Sequence, residues 1–291
     1  MIISPQWSLL LGIMGSLFIS RFPKIELSAK TWSTRFLQTS VVLLGTSLHF
    51  NKVINDGLNG ALITAISLLV IFGIGYFGIK YFSIDQKLGT LLTMGTAICG
   101  GSAIAALAPV IGADAVIVTI SIAIVFLLNS LSILIFPLLG TYFEMSQAAF
   151  GTWAALAIHD TSSVIGASSI FGEEALGVAT TIKLTRALWI IPITIMFSFK
   201  FNRNSKSIKI PWFVFGFLLM SLTFTFFTKL QDYKDLFVLI SKNGFSITLF
   251  LIGLTFNFKK MKDIGLKPFL FSLILWIITT LLSFLYATNF L

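Results

Sequence analysis

Charge is what this sequence has least of: Asp, Glu, Lys and Arg make up 11% of its 291 residues, against roughly 25% in an ordinary soluble domain. A soluble fold of this size could not cover its surface with so few charges. Cysteine is scarcer still. Cys99 stands alone, which excludes an intramolecular disulfide, and two histidines cannot complete a Cys/His metal site. No Gly-x4-Gly-Lys-Ser/Thr loop is present, so nothing marks a nucleotide-driven pump. No basic segment precedes the first apolar run, and apolar runs continue to the C-terminus, so a cleavable leader is not expected. Neither a cofactor nor a resident metal is expected. An intramembrane enzyme lacks a recognisable Ser/His/Asp constellation, and a sensor lacks a soluble domain to relay a signal.

What is abundant is apolar. The hydrophobic fraction is 56%, with 30 Phe and 22 Gly, and the mean hydropathy is +0.97. Gly is commoner in membrane helices than in soluble ones, so a lipid bilayer is the expected solvent. Ten apolar segments approach or reach the length needed for roughly 30 Å of hydrocarbon. They run at 5–20, 34–50, 58–79, 88–110, 114–139, 148–171, 175–199, 211–228, 236–257 and 267–288. The expected fold is an all-α membrane protein of about ten spans, forming a single transporter domain over 1–291.

The net charge of +9 would suggest nucleic acid as a partner for a soluble protein. Placement explains it better here. Loops after odd-numbered segments hold Arg21, Lys24, Lys30, Arg35, Lys80, Lys87, Lys200, Arg203, Lys206, Lys209, Lys259, Lys260, Lys262 and Lys267. Loops after even-numbered segments hold Lys52, Lys229 and Lys234. Cytoplasmic loops carry the excess of Lys and Arg, so a plasma-membrane location with both termini non-cytoplasmic is expected, and no nucleic-acid partner.

A weak internal repeat relates 41–57 to 249–265. Gly45, Phe50, Lys52 and Gly57 coincide with Gly253, Phe258, Lys260 and Gly265 after a shift of 208 positions. These are the second and ninth segments, which would run in opposite directions. Inverted repeats with sites on discontinuous helices characterise secondary transporters; chance similarity between two helix ends is the competing reading.

Three segments carry polar interruptions. In the fourth, Gly100-Gly101-Ser102 is poor helix material. A break there would leave a half-helix N-terminus suited to an anion, whereas an unbroken helix would use the small residues for packing. In the sixth, His159, Ser162, Ser163, Gly166 and Ser169 recur at helical spacing beside Asp160 and Thr161. An ionisable group deep in a membrane is costly and marks function by default, although His159-Asp160 could equally mark a helix cap or re-entrant turn. In the seventh, Lys183 and Arg186 lie three apart, on one helix face. With Asp160 they leave one net positive charge inside. Either Asp160 pairs with one cation and leaves the other for a substrate anion, or all three form a structural network. Asn129 and Asn243 read as interhelical hydrogen-bonding groups, and Cys99 as a small packing residue.

At Ile98-Cys-Gly-Gly-Ser-Ala-Ile-Ala105, Ala157-Ile-His-Asp-Thr-Ser-Ser-Val164 and Ala179-Thr-Thr-Ile-Lys-Leu-Thr-Arg186 the chain resembles the sulfate-exporter family of YeiH-type membrane proteins, from about residue 8 to the end. The resemblance implies an inverted-repeat carrier similar to bile-acid symporters and cation–proton antiporters, with crossed, broken core helices. It implies a substrate site at Cys99, Gly100, Gly101, Ser102, Thr161, Ser162, Ser163, Lys183 and Arg186, with His159 and Asp160 coupling an ion. Members usually begin with one more N-terminal span, so this chain is expected to be one helix short. The partners then expected are a small anionic solute such as sulfate, sulfite or a sulfonate, with H+ or Na+ as coupling ion; a homodimer is left open. The alternative is a cation antiporter or a cation-coupled organic-acid symporter.

Overall fold

The computed structural model describes residues 5–19, 23–201, 212–255 and 265–290, and among these it contains helices and no strand. The helices are α1 (Pro5–Ile19), α2 (Pro23–Leu44), α3 (Phe50–Tyr81), α4 (Gln86–Ala97), α5 (Gly101–Ile111), α6 (Ala115–Tyr142), α7 (Gln147–Ala157), α8 (Thr161–Phe171), α9 (Glu173–Leu188), α10 (Ile190–Phe201), α11 (Trp212–Phe226), α12 (Lys234–Leu254) and α13 (Leu266–Phe290). Over the described residues, each of the ten apolar segments overlaps a helix or a consecutive pair of helices. Among the described residues, five helical stretches are individually long and apolar enough to cross a membrane: Val53–Tyr81, Val116–Tyr142, Glu173–Phe199, Lys229–Leu254 and Leu266–Asn289. Gly101–Ile111, Thr161–Phe171 and Trp212–Phe226 are shorter apolar helices. An all-helical chain is what hydrocarbon demands, because a helix satisfies its backbone internally where water is absent.

The chain divides into two compact units, Met1–Asp56 with Pro211–Lys259, and Gly57–Ile210 with Lys260–Leu291. In the first, α12 packs against α1 and α2, and α11 against α2. Small residues set the spacing. A Cβ at Gly12 would land on the Phe250 carbonyl oxygen and lie 2.9 Å from Gly253 Cα, and one at Gly244 would land on Ser40 Oγ. Backbones approach this closely only where side chains are minimal. The Ser241 hydroxyl adds a hydrogen bond to Ser40 O at 2.7 Å. The repeat expected across 249–265 runs through residues 256–264, which lie outside the described residues, and Lys52 has no described side chain.

In the second unit, α4, α5, α6, α10 and α13 share one buried apolar cluster, and α6 to α9 share another with α13. Phe136 stacks on Trp153 at 4.3 Å between ring centres, and Trp153 Nε1 donates to Thr280 O at 3.0 Å, tying α7 to α13. A Cβ at Gly151 would sit 2.7 Å from Ala175 O, so α7 and α9 nearly touch. That contact brings the basic face of α9 within reach of the C-terminal end of α7.

Candidate functional site

Two segments of the second unit break near their middles. α4 stops at Ala97, three residues lack helical form, and α5 starts at Gly101. Gly100 has φ +63° and ψ −125°, in the half of the map that side chains avoid. A Cβ there would also lie 3.1 Å from Val125 and 3.4 Å from the Asp160 backbone. Both constraints call for glycine. Gly100 N–H closes the turn on Gly95 O at 2.9 Å.

The second break separates α7 from α8. Ile158 is extended at φ −81° and ψ 132°, and Asp160 caps α8 at φ −88° and ψ 143°. Its carboxylate accepts from Ser162 N–H at 3.0 Å and from the Ser162 hydroxyl. Asp is among the best N-caps because its oxygen replaces the missing intrahelical acceptor. His159 therefore lies in the break itself. The helical stripe expected from His159 through Ser169 begins only at Ser162, because the N-cap forces extended backbone at 158–160. Asp160 thus caps α8, at a crossing of two chain segments where its own side chain is half-buried. A Cβ on Gly100 would be in van der Waals contact with Asp160, so the two breaks lie against each other.

A break exposes four kinds of helix end: the C-termini of α4 and α7, and the N-termini of α5 and α8. Each C-terminus leaves carbonyls without donors, and each N-terminus leaves N–H groups without acceptors. Lys183 and Arg186, both 0% exposed, attend to the first pair. Lys183 Nζ donates to Ile98 O (3.0 Å), Ala155 O (3.3 Å) and Ile158 O (2.7 Å). Arg186 donates from Nε to Ala97 O (2.6 Å), from Nη1 to Ala155 O (3.2 Å) and Leu156 O (2.6 Å), and from Nη2 to Thr96 O (2.9 Å). An ammonium has three donors and a guanidinium five, so Lys183 is saturated and Arg186 nearly so. Positive charge is also favoured at a helix C-terminus, where the aligned peptide dipoles are negative.

This changes the roles expected for the two cations. Pairing of Asp160 with either one was expected in both readings; its carboxylate instead serves the α8 N-terminus, and the cations serve backbone carbonyls. Arg186, expected as a fork for substrate oxygens, spends its fork on Thr96, Ala97, Ala155 and Leu156. Their charge reaches the crossing as a field rather than as a contact.

The other expected site residues gather at the crossing. Gly101, Ser102 and Ala103 form the first turn of α5, and Thr161, Ser162 and Ser163 that of α8. Ser102 is exposed, and its hydroxyl donates to Cys99 O at 3.1 Å and lies 3.2 Å from Cys99 Sγ. Cys99 is buried inside the apolar cluster of α4 to α6. Thr161, Ser162 and Ser163 are buried. His159 is buried with neither ring nitrogen hydrogen-bonded. Among the described residues, no group of three His, Cys, Asp or Glu could hold a metal.

Asn129, read from the sequence as an interhelical hydrogen-bonding group, also belongs here. Asn129, on unbroken α6, accepts from Asp160 N–H through Oδ1 at 3.2 Å and leaves Nδ2 without a partner in a 2% exposed side chain. A strongly polar amide near the middle of a 28-residue apolar helix was the available signal.

The family model described as Conserved hypothetical protein 698 matches residues 1–272. The chain is 40% identical over 289 residues to a UPF0324 membrane protein of Bacteroides thetaiotaomicron, covering 98% of this chain and 86% of that one. It is 42% identical over 277 residues to another of Photobacterium profundum, covering 95% and 84%, and 36% identical over 277 residues to one of Geobacter sulfurreducens, covering 95% and 88%. No solved structure gives a significant match. Matches along nearly the whole length establish that the chain belongs to the UPF0324 membrane protein family.

Proposed function

We propose that this membrane protein is a secondary carrier for a small anion of the sulfate, sulfite or sulfonate class, working by alternating access and not by catalysis. The observation that carries the reading is the division of labour at the crossing. Buried cations neutralise the carbonyl ends of α4 and α7, while the N-termini of α5 and α8 meet at Gly100 and Asp160. Two positive helix ends, backed by two fixed cations and offset by one carboxylate, form a region that favours negative charge. Broken helices presenting N-termini to anionic groups are how several secondary carriers bind cargo. In this reading each of the ten apolar segments crosses the plasma membrane, the two broken ones as half-helix pairs, and both termini are non-cytoplasmic. Ser102, Thr161, Ser162 and Ser163 line the anion, and Lys183 and Arg186 act through their field.

Asp160 supports a second component. Its carboxylate sits at the crossing with Ser162 as its hydrogen-bonding partner, which leaves it able to take up H+ or Na+ as coupling ion. A cation-only carrier is the rival built on the same residue. Flux in proteoliposomes separates the two. Labelled sulfate or sulfite uptake that saturates and responds to an imposed pH or Na+ gradient is expected. Gradient-driven Na+ or H+ movement that Asp160→Asn abolishes, with no oxyanion flux under any gradient, would replace the anion reading with the cation one.

A further inference from the structure

We infer that the side-chain amide of Asn129 is a direct donor to the anion at the α5–α8 crossing and selects an acceptor-only oxyanion over a cation there. The inference rests on the anion reading above and adds the residue and the chemistry that discriminates. Asn129 lies on the face of α6 that meets both breaks. One turn earlier on that face, Val125 lies 3.1 Å from where a Cβ on Gly100 would be, and neighbouring Phe126 3.7 Å from one on Gly101. Residues four apart share a helix face, so Asn129 continues this contact onto Asp160.

Its orientation is not arbitrary. Asp160 N–H is a donor and requires an acceptor, so Oδ1 must face it, at 3.2 Å. The same planar group then holds Nδ2 beside the α8 N-terminus with two N–H bonds and no protein acceptor for either. A buried amide left half-satisfied is rare enough in a folded protein to require a reason, and a departing ligand supplies one. The unsatisfied half also specifies the ligand. An amide binds a metal ion through oxygen, whereas the end without a partner here is the nitrogen, the oxygen being turned to Asp160 N–H. What remains is a pair of donors beside two helix starts, where the aligned peptide dipoles are positive. The group complementary to that pair is an oxygen-rich anion.

Thermal unfolding of the purified full chain in detergent tests this, with sulfate, methanesulfonate and acetate titrated against chloride at equal ionic strength. Asn129→Asp keeps the acceptor for Asp160 N–H and replaces the donor by oxygen, whereas Asn129→Ser removes the amide without adding charge. In each variant that folds, oxyanion affinity is expected to fall at least tenfold when read against that variant's own unliganded transition, a loss a purely structural residue would not give. Variants that fold and bind the oxyanions as tightly as wild type overturn the assignment and leave the anion reading standing. Loss of the unliganded transition in both variants overturns it as well, since Asn129 would then serve only to anchor Asp160. A wild type that responds to none of the three overturns the anion reading itself.

Discussion

The two compact units solve the same solvent problem by different means. In the first, α1, α2 and α12 are continuous over their described lengths and approach through Gly12, Gly244 and Ser40. The adhesion there is packing, since lipid gives helices no hydrophobic reason to associate. In the second, two segments are broken, and the exposed carbonyls are held by Lys183 and Arg186. Packing needs small residues and nothing else. A break leaves carbonyls that need donors, and here two buried cations supply them.

The sharpest way to break this contrast is Arg186→Ala. It strips the side-chain donor from Thr96 O, Ala97 O and Leu156 O and leaves Ala155 O with Lys183 alone, at about 1–3 kcal/mol for each acceptor left unsatisfied, a large share of the stability of a typical domain. Loss of monodisperse protein on detergent gel filtration is expected, and a well-folded Arg186→Ala that merely fails to transport would restore the substrate-clamp role. Arg186→Lys is expected to recover only part of the stability, because a point charge cannot span Thr96 to Leu156 as a planar fork does. Gly12→Val probes the packed unit. Its branch meets the Phe250 carbonyl, which is backbone and cannot rotate away, at roughly 1–3 kcal/mol for overpacking, read as a lowered unfolding temperature. Gly100→Ala strains a positive φ and crowds Asp160, for about 1–2 kcal/mol, and is expected to impair flux more than Gly12→Val does at equal stability loss. Asp160→Asn has the smallest effect on stability, within about 1 kcal/mol, because Asn caps a helix as well as Asp. Its altered gradient dependence in proteoliposomes, with an unchanged melting temperature, would assign coupling to the carboxylate.

Much of this was legible beforehand. The apolar segments marked where helices lie, Gly100-Gly101 marked a break, and Lys183 and Arg186 were placed on one buried face by their spacing alone. The partners of the cations were not legible. Arg186 reaches carbonyls 89 and 90 residues away on α4, and a carbonyl carries no residue identity for a pattern to reveal. Asp160 misled for a related reason: an acid near two bases suggests an ion pair, yet N-cap geometry holds its carboxylate on Ser162. Asn129 looked like an ordinary interhelical amide until Asp160 N–H, 31 residues on, showed which end was used.

Composition and order alone determined that this chain partitions into lipid as helices, where those helices lie, and that Lys183 and Arg186 must be buried among them. Those outcomes follow from transfer free energies and backbone propensities, which are local properties. Only the tertiary structure decided which helix end each charge serves and which polar atoms stay open at the crossing. A hydrogen bond depends on the position and direction of a donor and an acceptor, and these exist only once distant segments have packed together.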